Sequence, residues 1–292
     1  STQGYSSAAS DVYKRQGFYR LKRNKVFGGC LLVIMIYNLF ILLSQYHSMV
    51  EDGYEYTLDP LYFNFLALIG ILISLLVSLF IGTDYHDGTF RNKLICGLSR
   101  TSVYLSNFIL MAVCGIILLL AGYALGLALG IPLFGPFEMP PAGVFTLSLI
   151  SILFTLSYIS IFHMVSMTSS NKTTSAVCCI LLAFALLFIA IFLLNALSQP
   201  QYIEQLSASS MKAGQVVATE NAVLETVKNP AYISGVKREI YQNIMDFLPS
   251  GQMAQILNGG DIHIFRAAFY SIFIIVGTNV IGLRIFKKKD IK

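Results

Sequence analysis

Residues 101–137 read TSVYLSNFILMAVCGIILLLAGYALGLALGIPLFGPF and contain no Asp, Glu, Lys or Arg. A helix needs about 20 predominantly apolar residues to cross the hydrocarbon core of a bilayer. This run exceeds that length, and it decides the class of the protein. Four more charge-free runs, residues 26–50, 60–83, 139–171 and 173–203, also meet the requirement. A shorter run, 267–283, is bracketed by Arg266 and Arg284, whose long side chains can reach the interfaces. The 292-residue chain is 55% hydrophobic and only 12% charged, about half the charged fraction of a soluble domain. The pattern predicts an all-α polytopic membrane protein with six transmembrane helices near 26–44, 61–82, 103–130, 144–167, 175–197 and 266–286.

Basic residues set the orientation, because Lys and Arg collect on the cytoplasmic side. Arg20, Lys22, Arg23 and Lys25 precede the first span. Arg91, Lys93 and Arg100 lie between spans two and three, Lys172 between four and five, and Lys287, Lys288, Lys289 and Lys292 in the tail. The first loop on the other side has none and carries Glu51, Asp52, Glu55 and Asp59. Both termini are therefore expected in the cytoplasm, in a multi-pass protein of the plasma membrane. The net charge of +5 then reflects topology and contact with anionic lipid, not nucleic acid. Cys30, Cys96, Cys114, Cys178 and Cys179 all fall in spans or the cytoplasmic loop, so no disulfide framework is implied.

Residues 1–16 stand apart. Ser7-Ala8-Ala9-Ser10-Asp11-Val12-Tyr13-Lys14-Arg15-Gln16 resembles a translated sequencing adaptor, and 1–16 are read as a non-native or disordered segment. The transmembrane domain is assigned to 17–292. Its first residues alternate aromatic and basic side chains (Phe18, Tyr19, Arg20, Lys22, Arg23). They fit either a segment lying on the inner membrane surface or a plain topogenic flank. An extracellular segment, 198–264, separates spans five and six. It is expected to be helical, with Ile240, Ile244 and Phe247 at helical spacing and Pro249-Ser250-Gly251 closing that helix. It is too small for a core of its own and should pack on the mouth of the bundle.

Within the spans, Gly122, Gly126 and Gly130 form a doubled G-x-x-x-G, which clears one helix face for close approach. The contact could lie within the chain or at a seam between copies. Asn38, Asn64, His163, Asn195 and Asn279 are polar intruders at membrane depth, and Asn64, His163, Asn195 and Asn279 are possible pathway-lining residues. No charged residue sits deep in a span, where ion-coupled carriers commonly keep one. No G-x-x-x-x-G-K-[ST] occurs, so the chain has no phosphate-cradling loop. His47, His86, His163 and His263 lack metal-ligand spacing, and no Ser, His and Asp set lies at membrane depth. The chain is not expected to be an enzyme or to bind a metal.

The densest polar pattern joins spans two and three: Asp84-Tyr85-His86-Asp87-Gly88-Thr89-Phe90-Arg91-Asn92-Lys93-Leu94-Ile95-Cys96-Gly97-Leu98-Ser99-Arg100. Phe90, Leu94 and Leu98 recur every four residues and make one apolar stripe. Thr89 is positioned to cap a short helix, Gly97 to close it and Ser99 to cap the third span. Arg91, Asn92 and Lys93 lie off the stripe and are expected to face the cytoplasm.

At these residues the chain resembles the bacterial ATP-binding-cassette (ABC) type 2 permeases. In that family an acidic residue, Gly-Thr, a basic stretch, a Gly and Ser-Arg join the second and third spans. Asp87, Gly88-Thr89, Arg91-Asn92-Lys93, Gly97 and Ser99-Arg100 match them here. Two residues depart from the pattern. Asp84 or Asp87 stands where the family usually has Glu, and Asn107 replaces a basic residue often found early in span three. The resemblance extends to the six-span layout and to Leu248-Pro249-Ser250-Gly251-Gln252 in the long outer segment. It implies a transmembrane permease subunit of an ABC exporter that couples to a separate ATPase subunit through Asp84, Asp87, Gly88, Thr89, Arg91, Asn92, Lys93, Gly97, Ser99 and Arg100. It also implies a second permease copy or a related subunit, with ATP and Mg bound by the partner ATPase and no cofactor in this chain. The residues themselves leave two alternatives open: a non-transporting membrane scaffold or sensor, and an ion-coupled secondary transporter using His163 and the asparagines.

Overall fold

Long charge-free sequence becomes helix in a bilayer because each backbone N–H and C=O must then be satisfied within its own segment. The computed structural model describes residues 24–289, apart from 170, 207–208, 213–214, 219–223 and 260–261. The segment 1–16 and the aromatic-basic stretch up to residue 23 lie outside the described residues. Among the described residues, six helices are long and apolar enough to cross a membrane. The first is α1 (Lys25–Glu51), capped by Asn24, whose Oδ1 accepts from the N–H groups of Val26 and Phe27 at 2.8 and 3.2 Å. The second begins as α2 (Leu58–Phe63), tightens into a 3-10 turn over Asn64–Leu68 and continues as α3 (Ile69–His86). Short helix α4 (Thr89–Ile95) leads into α5 (Arg100–Phe134), α6 (Pro141–Thr168) and α7 (Lys172–Leu197). The last span is α10 (Ile264–Lys288). All six expected spans are present. Most run past their expected ends, because hydropathy marks hydrocarbon depth and a helix continues until a cap stops it.

The second span is the central one. In its most apolar window 72% of residues are buried, against 22%, 22% and 17% in the first, fifth and last spans. Those peripheral helices turn Leu32, Phe40, Phe188 and Phe273 outward, as lipid-facing helices do. Phe63, Phe65, Ile73, Phe154 and Phe162 fill the interior.

Helix packing in lipid relies on close van der Waals fit, since lipid tails are as apolar as Leu. The doubled G-x-x-x-G supplies that fit within the chain. A Cβ at Gly122 would lie 2.5 Å from the Phe65 ring, one at Gly126 3.0 Å from the Tyr62 ring, and one at Gly130 2.4 Å from Leu58. Asn38 on α1 donates to the Gly122 carbonyl at 2.9 Å. The first three spans are thus locked on one glycine face.

The outer segment differs from the helical expectation in its first half. Four short strands, β1 (Tyr202–Leu206), β2 (Ser209–Lys212), β3 (Gln215–Ala218) and β4 (Leu224–Lys228), form two antiparallel pairs. β1 pairs with β4 from Tyr202↔Lys228 to Leu206↔Leu224, and β2 with β3 from Ser209↔Ala218 to Lys212↔Gln215. Ile203, Val216, Val217, Thr226 and Val227 are β-branched and favour strands, a signal masked by the surrounding Gln, Ser and Ala.

The second half is helical, as α8 (Val236–Phe247) and α9 (Pro249–Leu257). α9 does more than sit on the mouth: every residue from 249 to 256 is buried, and the helix wedges among α6, α7 and the 3-10 turn. Its polar side chains are satisfied there, as burial requires. Ser250 donates to the Leu186 carbonyl at 2.7 Å, and Gln252 to the carbonyls of Asp246 and Ala267 at 2.7 and 3.1 Å. Gln255 donates to the Asp246 carboxylate at 3.1 Å. Gly251 permits the reversal between α8 and α9, since a Cβ there would lie 2.2 Å from the Met245 carbonyl oxygen.

Candidate functional site

The candidate site is the end face of the bundle built around α4. α3 ends at His86 and Asp87 closes it, its N–H donating to the Thr83 carbonyl at 2.9 Å. Gly88 then adopts φ +64° and serves as the N-cap of α4. Thr89, expected to be the cap, is the first helical residue, and no side-chain cap bond forms. The turn needs a left-handed residue at that point, which only Gly adopts at low cost. The other end follows the expectation. Gly97 has φ +85°, with the Leu98 N–H bonded to the Lys93 carbonyl at 3.2 Å and the Gly97 N–H to the Leu94 carbonyl at 3.0 Å. This is the paired bonding of a Schellman stop. Ser99 caps α5, its Oγ accepting from the Ser102 N–H at 3.1 Å.

α4 is amphipathic as expected, with one correction. Phe90 is buried and Leu94 and Leu98 are half-buried against the core. Arg91 and Asn92 are exposed. Lys93, expected to face outward, is buried, with its ammonium 3.0 Å from the equally buried Asp84 carboxylate. It also lies 4.9 Å over the Phe90 ring. A charge at low dielectric persists only when paired, and Asp84, on the last turn of α3, supplies the counter-charge. Burial pushes the Lys93 pKa down to about 8, while the adjacent carboxylate opposes that shift by favouring the ammonium.

Behind α4 four helix ends converge. Phe90 contacts the rings of Tyr85 and Phe286, with centroids 4.5 and 6.2 Å apart. Arg100, at the start of α5, donates to the carbonyls of Phe286 at 3.1 Å, Lys287 at 3.2 Å and Lys289. These carbonyls lie at the C-terminal end of α10, where the last turn leaves acceptor capacity unused, and a cation there also complements the helix dipole. Tyr85 donates to the Met167 carbonyl at the end of α6 at 2.7 Å. Lys289 bonds both Tyr85 Oη and that carbonyl, at 3.1 and 3.2 Å, and lies 4.1 Å over the Tyr85 ring. Its pKa is likewise lowered to about 8 by burial.

The ten loop residues therefore play different parts. Asp87, Arg91, Asn92, Gly97 and Ser99 are exposed, Asp84 and Lys93 tie α4 to the central span, and Arg100 ties the start of α5 to the end of α10. Gly88 lies in the turn before α4, and Thr89 is the first residue of the helix. Ile95 is missed by the sequence reading although it is 75% exposed at the tip of α4. Its position off the Phe90–Leu94–Leu98 stripe is the signal that could have marked it. Tyr85, Phe286 and Lys289 carry no local signal, because their partners are remote in sequence.

The four candidate pathway residues do not form one group. His163 is sealed in the bundle, its ring edge-on to Tyr104 at 4.5 Å and 5.7 Å from Phe108, and neither ring nitrogen has a hydrogen-bond partner among the described residues. Asn279 donates to Ser160 Oγ at 2.7 Å, one turn from His163 along α6. Asn64 lies half-buried in the 3-10 turn, and Asn195 is exposed near the end of α7.

Among the described residues the bundle thus has six membrane-length helices, a capped amphipathic helix between the second and third, and a short buried helix before the last. No match is found among curated proteins. A family model described as ABC-2 family transporter protein matches residues 11–291, nearly the whole chain, and the protein belongs to that family of ABC-type membrane components.

Proposed function

We propose that this chain is the permease subunit of an ABC exporter, driven by a separate ATPase subunit that docks on α4. A second permease copy or a related subunit completes the substrate pathway. In this reading the protein sits in the plasma membrane with α4 and both termini in the cytoplasm, an orientation that the basic flanks support. ATP and Mg belong to the ATPase. One observation carries the reading: α4 faces outward with Arg91, Asn92 and Ile95, while its inner side is keyed to the second and last spans through Phe90 and the Lys93–Asp84 pair, next to the Arg100 link between α5 and α10. A push on the exposed side reaches the starts or ends of the second, third, fourth and last spans. Asp87, Gly97 and Ser99 complete the docking face. Gly88 lies in the turn that orients it, and Thr89 opens the helix.

The test is co-purification of the chain from native membranes with its nucleotide-binding subunit, comparing wild type with R91E and I95E. Both substitutions are on the surface, so insertion and thermal stability should hold while recovery of the ATPase and transport fall together. Full ATPase recovery and transport in both variants would place docking elsewhere. Transport driven by a proton gradient in the absence of ATP would favour a secondary carrier.

A further inference from the structure

At the end of the bundle opposite α4, the first turns of α2 and α6, the end of α9 and the start of α10 surround a cavity of about 780 Å³. That volume lies in the ~300–1,000 Å³ range of sites that take small organic molecules. Its walls are mostly apolar, with Phe63, Met139, Leu147, Ile256, Ile262 and Ile264 on different sides. Among the described lining residues the only charged one is Asp59. Its carboxylate is held in place by two backbone donors, the N–H groups of Glu138 at 3.0 Å and Met139 at 3.1 Å. An ionised carboxylate has about four acceptor sites, so two remain for a ligand. The adjoining loops, 52–57 and 135–140, carry Asp52, Glu55 and Glu138 and no Lys or Arg. Arg266, farther along α10, is engaged with Asn243 at 2.8 Å and Asp246 at 3.6 Å.

We propose that this cavity binds a cationic amphiphile, its apolar tail between Phe63, Leu147 and Ile256 and its positive headgroup against Asp59. The wall chemistry selects the tail and the Asp59 carboxylate selects the sign of the head, since an anionic head would meet like charge there. That the site serves release of a transported molecule rests on the exporter reading above; the binding itself does not.

The test uses the purified full chain in lipid nanodiscs and three dodecyl probes with a photoreactive diazirine in the tail: a trimethylammonium, a sulfate and a neutral glucoside. The ammonium probe should label Met139, Leu147, Ile256 or Ile262 with a preference over the sulfate of about tenfold, equivalent to ~1.4 kcal/mol. D59N should abolish the preference and D59E should keep it, which separates charge from any disturbance of the loop. Leu147→Trp, which fills the cavity, should reduce labelling by every probe. Equal labelling by all three probes would overturn the proposal and make the cavity a lipid-tail slot. Labelling confined to the outer faces of α1, α7 and α10 would overturn it as well. Loss of ATP-driven transport with charge-selective labelling intact would count against the exporter reading alone.

Discussion

The Lys93 ammonium lies 3.0 Å from the Asp84 carboxylate, nine residues earlier, with both side chains shielded from solvent. The pair turns what composition presents as a basic surface loop into a connection between α4 and the central span. Breaking a buried ion pair by removing one partner costs about 3–5 kcal/mol, whereas removing both partners costs far less. D84N and K93M should each lower the unfolding temperature of the purified protein markedly, and the double variant should lose less than the sum. Additive losses in a double-mutant cycle would show that the two side chains act independently.

The same pair predicts a pH dependence. Burial lowers the folded pKa of Lys93 to about 8 from its ordinary value of 10.5. Between these values the unfolded chain binds more protons than the folded one, so the contribution of Lys93 to stability rises with pH across that window. Below pH 8 the folded protein bears the full cost of burying the ammonium. The difference in unfolding temperature, wild type minus K93M, should therefore grow between pH 7.5 and pH 9.5. Lys289, which titrates in the same range, cancels in that difference. A gap that shrinks over the interval would contradict the assignment.

Arg100 should matter more for coupling than for docking. R100Q removes charge-assisted bonds to the last carbonyls of α10, each worth about 1.5–3 kcal/mol at most. Arg100→Lys retains the charge but not the planar fork that reaches several carbonyls. Under the exporter reading, R100Q should leave ATPase recovery near wild type, reduce transport per ATP hydrolysed and lower the unfolding temperature. R100K should fall between the two. ATPase recovery that falls as it does in R91E would move Arg100 to the docking face.

Two glycine substitutions should fail for different reasons. Gly122→Ala places a methyl 2.5 Å from the Phe65 ring, an overpacking cost of about 1–3 kcal/mol. Gly97→Ala meets open space but must adopt φ +85°, a conformational cost of about 1–2 kcal/mol. Shrinking the partner, as in the double variant Gly122→Ala with Phe65→Leu, should recover stability only at Gly122. Cross-linking should show unchanged association between copies in Gly122→Ala, because the glycine face is filled from within the chain. Loss of self-association with unchanged thermal stability would return that face to a seam between copies.

Span number and span position were legible in the sequence, because a hydrocarbon core demands length and apolarity and both are properties of local sequence. The caps at Gly97 and Ser99 were legible for the same reason: a left-handed stop and an Oγ–amide bond involve residues within a few positions. The α4 stripe of Phe90, Leu94 and Leu98 follows from helical period alone. Tertiary structure decided the rest. Lys93 looks like a surface cation until the left-handed turn at Gly88 folds α4 back under Asp84. Gly122, Gly126 and Gly130 advertise a close contact but not its partner, which came from α2 and the 3-10 turn more than fifty residues away. Residues 249–257 are too short and too polar to read as membrane-buried, yet bonds from Ser250, Gln252 and Gln255 to groups on other segments let α9 enter the bundle. Hydropathy measures what one residue prefers by itself; burial of polar groups is settled by partners that only the folded chain brings within hydrogen-bond distance.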